Sequence, residues 1–325
     1  MKRELVQKRN RILNTLRRFF NDRDFLEVET PVLSPYLIPE STIEVFETTY
    51  YRELQGSRQL YLTPSPEIFM KKLIAEGFGN IFQITKSFRN YEQTGRDHNP
   101  EFTMLEWYAT ETTAEGNIPV TEELFASLLS QGNSPDLSFL KPPFRRISME
   151  EIFFEKTGID LSGVQKVSVL KEAVLKKGYR LQEDETWESL FNRVFLNEVE
   201  PFLPVDSPLV LYNYPAQIDC LAADIPGTPW KDRWELYAGG IELANCYTEE
   251  TNPRKVSSFV EKEYARKAAH SLVIPDADFA FSSLFSPHHP QYSGVALGVD
   301  RLIRLLTGED SIKGVILFPL SDTIV

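Results

Sequence analysis

The chain has 325 residues, 42% of them apolar and 12% aromatic, enough to pack one large domain or two modest ones. Its formal net charge of −12 argues against a broad electrostatic footprint on nucleic acid and leaves room only for a local basic patch. The first ten residues lack the apolar core of a signal peptide, and no later stretch is long and apolar enough to span a bilayer, which points to a cytoplasmic protein. Cys220 and Cys246 have neither metal-ligand nor redox spacing and read as idle thiols in a reducing compartment.

Leu5, Ile12, Leu13, Leu16 and Phe19-Phe20 recur at helical spacing. After Asp22-Arg-Asp the pattern becomes Phe25-Leu-Glu-Val-Glu-Thr-Pro31-Val-Leu, a strand stopped by its proline. Ser65-Pro66-Glu67 opens a second helix that runs to Gly77, with serine expected as N-cap, proline at the first helical position and glycine after the last turn. Glu67 then sits in the first turn, where the helix dipole favours a carboxylate. Ile81–Arg89 and Phe102–Tyr108 read as two strands joined by a polar loop. Alternation puts Gln83, Thr85, Ser87 and Arg89 on one face of the first, and Phe102, Met104, Glu106 and Tyr108 on one face of the second. That pattern suits either a lined site or a hairpin with one solvated face.

Between about 110 and 208 the patterns are weaker, and the stretch reads as an insertion packed on the core of a single domain spanning 1–325. Farther on, Arg233–Asn245 reads as a hairpin turning on Gly239-Gly240, with Tyr237 opposite Glu242 and Glu235 on the same face. Two carboxylates so placed repel each other unless a cation intervenes, and Mg2+ bridging carboxylate and phosphate oxygens would serve. Strict alternation would turn Asn245, Tyr247 and Glu249 away from Glu242, so a shared pocket requires a bulge near Ala244. Gly294–Gly308 reads as a strand passing into a short amphipathic helix, with Gly298 allowing close backbone approach at the helix start.

These segments, in this order, resemble motifs 1, 2 and 3 of the class II lysyl-tRNA synthetase catalytic core and of its relatives, the elongation factor P lysine ligases. His98–Tyr108, read with Ser87-Phe-Arg89 and Gly294–Arg301, carries most of the resemblance, which covers nearly the whole chain. It implies an α+β fold, a mostly antiparallel sheet flanked by helices, and a homodimer built on motif 1 with Pro31 at the interface. It also implies adenylate formation from ATP with Mg2+, with Arg89 bridging the substrate carboxylate and the α-phosphate and Arg301 on the nucleotide. Asn90, Tyr91, His98, Asn99, Phe102, Glu235, Leu236 and Gly298 would complete the ATP site, and Glu235 and Glu242 would hold the metal. Ser65, Pro66, Glu67, Glu106, Tyr108, Glu242, Asn245, Tyr247, Glu249 and Ala296 would receive an amino acid with two ammonium groups. Ser65 and Ala296 look like the elongation factor P ligases, where they go with use of (R)-β-lysine.

No stretch of the sequence is expected to form the anticodon-reading domain of the synthetases, so the implied acceptor is the ε-amine of a lysine on elongation factor P. Some positions depart from the family pattern. Arg89-Asn90-Tyr91-Glu92 stands where Arg-Asn-Glu is expected, the loop to His98 is one residue longer, and Cys246 and Thr248 replace a glycine and a histidine or serine. Either Glu92 substitutes through a shifted loop or adenine is read by the backbone of Tyr91. A ligase of free amino acids, an enzyme acting on lysine tRNA and a regulatory paralogue are the alternatives. The acidic pocket disfavours an aspartate substrate, and the presence of Arg89, Arg301, Glu235 and Glu242 disfavours a silent paralogue.

Overall fold

The computed structural model describes residues 2–92, 94–130, 136–285 and 289–323. Helix α1 (Lys2–Asn21) forms where the apolar spacing requires it, and its buried face of Leu16, Phe19 and Phe20 meets the central sheet. Phe20 stacks on Phe82 with centroids 4.9 Å apart and tilts against Trp107 at 5.1 Å. The single strand expected over 25–33 is instead two short pieces, β1 (Leu26–Glu27) and β2 (Leu33–Ser34), which join different sheets. Between them Pro31 has no N–H to give a ladder, and it lies exposed.

A small three-stranded sheet, ordered β2-β4-β3, contains β3 (Glu47–Arg52) and β4 (Gly56–Leu62). Helix α2 (Glu67–Ala75) follows. The central sheet then receives β5 (Ile81–Phe88) and β6 (Glu101–Thr110), an antiparallel pair in which Gln83 faces Glu106 and Ser87 faces Phe102. Nearly all of β6 is buried, because helices cover one side of it and the site covers the other; the solvated-face reading fails.

The middle stretch divides in two. Helix α3 (Ala114–Leu129) packs Ala114, Ile118, Leu124, Phe125 and Leu128 into the first core beside α1 and the sheet. From β7 (Arg145–Ser148) onward the chain builds a second core with α4 (Met149–Thr157), α5 (Val167–Lys176) and α6 (Trp187–Val194), packed on β8 (Leu209–Pro215). A capping box between Ser148 and Glu151 starts α4, and Gly158 in the left-handed region ends it. A π-helical turn, Phe195–Val199, extends α6.

Strands β9 (Trp230–Ala238) and β10 (Ile241–Thr248) form the expected hairpin, with Gly239 and Gly240 at φ of 59° and 76°, and Tyr237 opposite Glu242. The pairing register shifts between Glu242 and Ala244, which is the bulge that a shared pocket requires. Helix α7 (Pro253–His270), strand β11 (Tyr292–Gly298) and helix α8 (Val299–Thr307) complete the core. The eight-stranded sheet is ordered β1-β5-β6-β11-β10-β9-β8-β7, antiparallel except where β1 meets β5 and β7 meets β8. An ion pair locks the three motif segments together. Arg9 on α1 meets Asp300 Oδ1 at 2.7 Å, and Asp300 Oδ2 accepts from the Thr103 N–H at 2.7 Å.

Candidate active site

Two cavities of about 480 Å³ each lie on the open face of the central sheet. The first is floored by β6, β11 and β10. Ala296 lies at the centre of that floor, paired on one side with Glu106 and on the other with Asn245. Gly294 makes room: a Cβ there would come within 2.3 Å of the Tyr108 ring and 2.9 Å of the Glu249 carboxylate. The Tyr108 hydroxyl donates to Glu106 Oε1 at 2.7 Å, and the Tyr247 hydroxyl to Glu67 Oε1 at 2.9 Å.

Charge in this cavity is concentrated and largely buried. Lys71, four residues after Glu67 on α2 and 1% exposed, places its ammonium 2.5 Å from Glu67 Oε1 and 2.7 Å from Glu249 Oε2. Those carboxylates hold it charged against the cost of burial. Burial, with the charge of Glu67, pushes Glu106 up to about 8. Burial likewise pushes Glu249 up to about 8, against the pull of Lys71. Glu249 has the Lys71 ammonium beside it, whereas Glu106 has only the Tyr108 hydroxyl within hydrogen-bond distance. Glu106 Oε2 and Asn245 Oδ1 are buried acceptors without a hydrogen-bond partner, and both residues line the cavity. Orphaned acceptors of this kind are satisfied when a donor such as an ammonium group arrives.

The second cavity is lined by Phe102, by Asn90, Tyr91, Glu92, Asp97, His98 and Asn99 of the β5–β6 loop, and by Gly298 and Arg301 at the start of α8. Arg301 is held by three acceptors: the Glu242 carbonyl at 2.8 Å, the Asp97 carbonyl at 3.1 Å and His98 Nε2 at 2.7 Å. Burial and the Arg301 guanidinium depress the His98 imidazole below its usual range, so it stays neutral and accepts that bond. Arg89 lies with its guanidinium 5.3 Å from the Phe102 ring centroid, and its buried Nε has no hydrogen-bond partner.

The cavities share a wall. Arg89, Met104, Glu242, Asn245 and Ala296 line both, with Glu40 and Thr42 from the loop before β3. Glu242 stands beside Glu235, and enclosure together with that neighbouring charge pushes Glu242 up to about 7. Glu235 accepts from Arg233 at 2.7 Å and from the Tyr237 hydroxyl at 2.8 Å. Two mutually repelling carboxylates beside a guanidinium-lined cavity fit a hard divalent cation that completes its shell with phosphate oxygens. Among the described residues no three acidic, histidine or cysteine side chains form a metal cage on their own.

The structure brings the residues that the sequence assigns to a site around the two cavities, except Leu236 and Pro66, which line neither. Leu236 is fully buried in the core on the opposite face of β9, so its side chain lines neither cavity. Alternation along β9, which turns Glu235 and Tyr237 inward, turns Leu236 away. Ser65 lines the first cavity but is not the helix cap; the cap position falls to Pro66, whose side chain offers no acceptor. Asn99 borders the second cavity, yet its amide donates to the Glu101 carbonyl at 2.5 Å and accepts from Leu320 N–H at 3.0 Å, bracing helix α9 (Leu320–Thr323). Tyr91 is exposed with φ of 55°, a conformation rare for a bulky residue, and its N–H donates to Asn90 Oδ1.

Several cavity residues had no counterpart in the sequence reading. Lys71 was detectable, since i,i+4 spacing from Glu67 puts both on one face of α2. Glu188, Phe191, Asn192, Phe195, Leu196 and Glu200, which wall the first cavity, come from α6 and the turns after it, within the weakly patterned middle stretch, and local pattern does not reveal them.

Comparison with known proteins agrees with this geometry. Residues 1–322 match the family model described as tRNA synthetases class II (D, K and N). The chain is 32% identical to a lysine–tRNA ligase of Chloroflexus aurantiacus over 98% of its own length and 65% of that enzyme's, so it spans just under two thirds of that relative. It is 33% identical to an elongation factor P–(R)-beta-lysine ligase of Haemophilus influenzae, over 97% of the chain and 94% of that protein. With the ligase of the same name from Sodalis glossinidius it shares 35% identity over 96% and 93%. A sheet that joins all three motif segments at two adjoining cavities, and a family match along nearly the full length, lead to one conclusion: the chain belongs to the class II tRNA synthetase family of the D, K and N type, a family of ligases.

Proposed function

We propose that this protein activates lysine, with (R)-β-lysine preferred, as an aminoacyl adenylate at the shared wall and transfers it to the ε-amine of a lysine on elongation factor P. The observation that carries this reading is the charge of the first cavity. Glu67, Glu106 and Glu249 against Lys71 leave two negative charges when all are ionised, and a substrate with two ammonium groups neutralises them. A dicarboxylate would add charge of the wrong sign. Two buried acceptors on Glu106 and Asn245 wait for donors.

In the first step a carboxylate oxygen of the amino acid attacks the α-phosphorus of ATP and pyrophosphate leaves. Arg89 borders both cavities and carries an unsatisfied N–H, so it is the group that would hold the carboxylate against the α-phosphate and stabilise the charge built up between them. Phe102 would take one face of the adenine and Arg301 the other, a cation–π contact worth about 0.5 to 2 kcal/mol. A magnesium ion at Glu235 and Glu242, when bound, would neutralise the pyrophosphate leaving group. His98, neutral beside Arg301, would turn its donor toward the nucleotide. In the second step the acceptor amine attacks the acyl carbon, AMP leaves, and the amine loses a proton to water. The resulting amide is the product.

The acceptor rests on the relatives, whose names assign the activity to elongation factor P and of whose length the chain covers 93% to 94%. Ala296, on the floor between Glu106 and Asn245, supports the β-lysine preference because its methyl group occupies space that a glycine would leave open. A homodimer through the motif 1 region, with exposed Pro31, Leu26 and Leu33 in the contact, belongs to the same reading. The decisive experiment is intact-mass spectrometry of elongation factor P after incubation with this protein, ATP, Mg2+ and either lysine isomer, beside a parallel reaction with lysine tRNA. A gain of one lysyl unit on the factor, larger with the β isomer, is the expected result. Charged tRNA with an unmodified factor would reject the acceptor while leaving the adenylate chemistry intact.

A further inference from the structure

We propose that Lys71 is a positioning and specificity residue for the amino-acid substrate: a built-in ammonium that cancels one of three pocket carboxylates, so that the remaining charge matches a substrate carrying two ammonium groups. This rests on the functional reading above and deepens it, by giving Lys71, which that charge balance includes, a selecting and positioning role of its own.

The geometry is that of a counter-ion, not of a surface lysine. Lys71 is 1% exposed, reaches Glu67 at 2.5 Å and Glu249 at 2.7 Å, and lies 5.3 Å from the Tyr247 ring centroid. Its ammonium therefore lies against groups that also line the cavity, Glu67, Glu249 and Tyr247. An ammonium buried among apolar neighbours would lose its proton, but here the two carboxylates repay desolvation. The same contact fixes the Glu67 and Glu249 carboxylates relative to each other across α2 and the end of β10. The charged and titratable groups that face Lys71 come from every element around it. They are Glu67 on its own helix, Glu106 on β6, Tyr247 and Glu249 at the end of β10, and Glu40 from the loop before β3, while Tyr108 on β6 and Tyr292 on β11 act on the Glu67 and Glu249 carboxylates. Apart from the Arg89 guanidinium beside Glu40, these partners are acids or phenols, so Lys71 is the cation that sets the balance.

Charge counting makes the idea testable by a double-mutant cycle. With Glu67, Glu106, Glu249 and Lys71 all ionised, these four carry −2 in the native protein; Glu249→Gln leaves −1, Lys71→Gln leaves −3, and the pair together restores −2. Removing both partners of a buried ion pair is also far better tolerated than removing one. Pyrophosphate exchange would be measured for all four proteins at several lysine and ATP concentrations. Each single substitution is expected to raise the KM for lysine by about tenfold or more, with the KM for ATP within about twofold. The double variant is expected to use lysine at least about fivefold better than Glu249→Gln alone, a non-additivity typical of contacting charges. Lys71→Gln should also lose further ground to the native protein as pH rises from 7 to 8.5, because proton uptake by its uncompensated carboxyls at neutral pH offsets the missing ammonium and is lost above it.

A double variant no better than Glu249→Gln would overturn the inference, as would one that fails to fold when Glu249→Gln folds. Should Lys71→Gln alone not fold, the comparison of Glu249→Gln with the double variant still decides. The wild-type control separates the two readings. No lysine-dependent exchange by the native protein rejects the proposed function, whereas native exchange with additive variants rejects only the role of Lys71.

Discussion

The two cavities have about the same volume and share a wall, yet they are built by opposite strategies. The proposed nucleotide side draws on two contiguous motifs, the β5–β6 loop and the start of α8, and ties Arg301 to backbone carbonyls and a neutral histidine. Those partners can be exchanged for phosphate at little cost. On the amino-acid side, charges come from helix α2, strands β6 and β10 and the segment after β10, and they are paired with each other in a buried setting. Selectivity follows from that difference. A site that must admit one amino acid benefits from a fixed charge count, while a site for a common nucleotide benefits from exchangeable contacts.

Arg89 lines both cavities, so on the proposed reading its loss should have the largest effect. Arg89→Ala is expected to lower lysine-dependent pyrophosphate exchange by about 10² to 10³ or more, as removal of a transition-state charge stabiliser does. Near-normal exchange would separate the cavities functionally and sink its assigned role. Glu106→Gln tests whether the amino-acid side is independent. The KM for lysine should rise roughly thirtyfold, for about 2 kcal/mol of lost ion pairing, with the KM for ATP unchanged. Equal changes in both constants would mean that the cavities act as one.

Proton uptake sharpens the contrast further. Burial pushes Glu106 and Glu249 up to about 8 from the 4.5 of a free glutamate, so between about pH 4.5 and 8 the folded protein binds more protons than the unfolded chain. Stability of the unliganded protein from these groups is therefore full at the acid end of that window and declines as pH rises through it. Melting temperatures recorded from pH 5 to 8.5 should fall, the slope should flatten in Glu106→Gln, and saturating lysine should oppose the decline. Lysine binding should release protons at pH 7, measurable by calorimetry in buffers of different ionisation enthalpy; ATP binding serves as the comparison. A smaller effect is expected from Ala296→Gly. Opening one methyl of space should shift the β- to α-lysine ratio toward α-lysine by about tenfold at the low end of such pocket changes, and unchanged relative rates would refute the floor assignment. The last test touches neither cavity directly: light scattering at micromolar concentration should give twice the monomer mass if the motif 1 region pairs two copies.

Much of this architecture was legible locally. Helical spacing located α1, the glycine pair located the β9–β10 turn, and the need to bring Glu242 and Asn245 to one pocket required the bulge that occurs between Glu242 and Ala244. Such features depend on residues close together in sequence, and periodicity reports them well. Where local signals competed, the reading slipped. The proline-stopped segment at 25–33 broke into two strands serving different sheets, because pairing partners decide what an extended segment joins. Asn99, expected among the nucleotide ligands, borders the second cavity while its side chain also bonds the backbone of Glu101 and Leu320.

By itself the sequence determined the order of elements, the two arginines, the acidic character of the amino-acid site and the family to which all of these belong. Only the tertiary structure decided how the charges are balanced. That Lys71 meets Glu249 across 178 positions of chain, that Glu106 is left without a counter-ion, and that α6 walls the cavity are consequences of which elements pack together. Burial then removes water from these groups, and a charge whose energy depends on its distant neighbours cannot be read from its near ones.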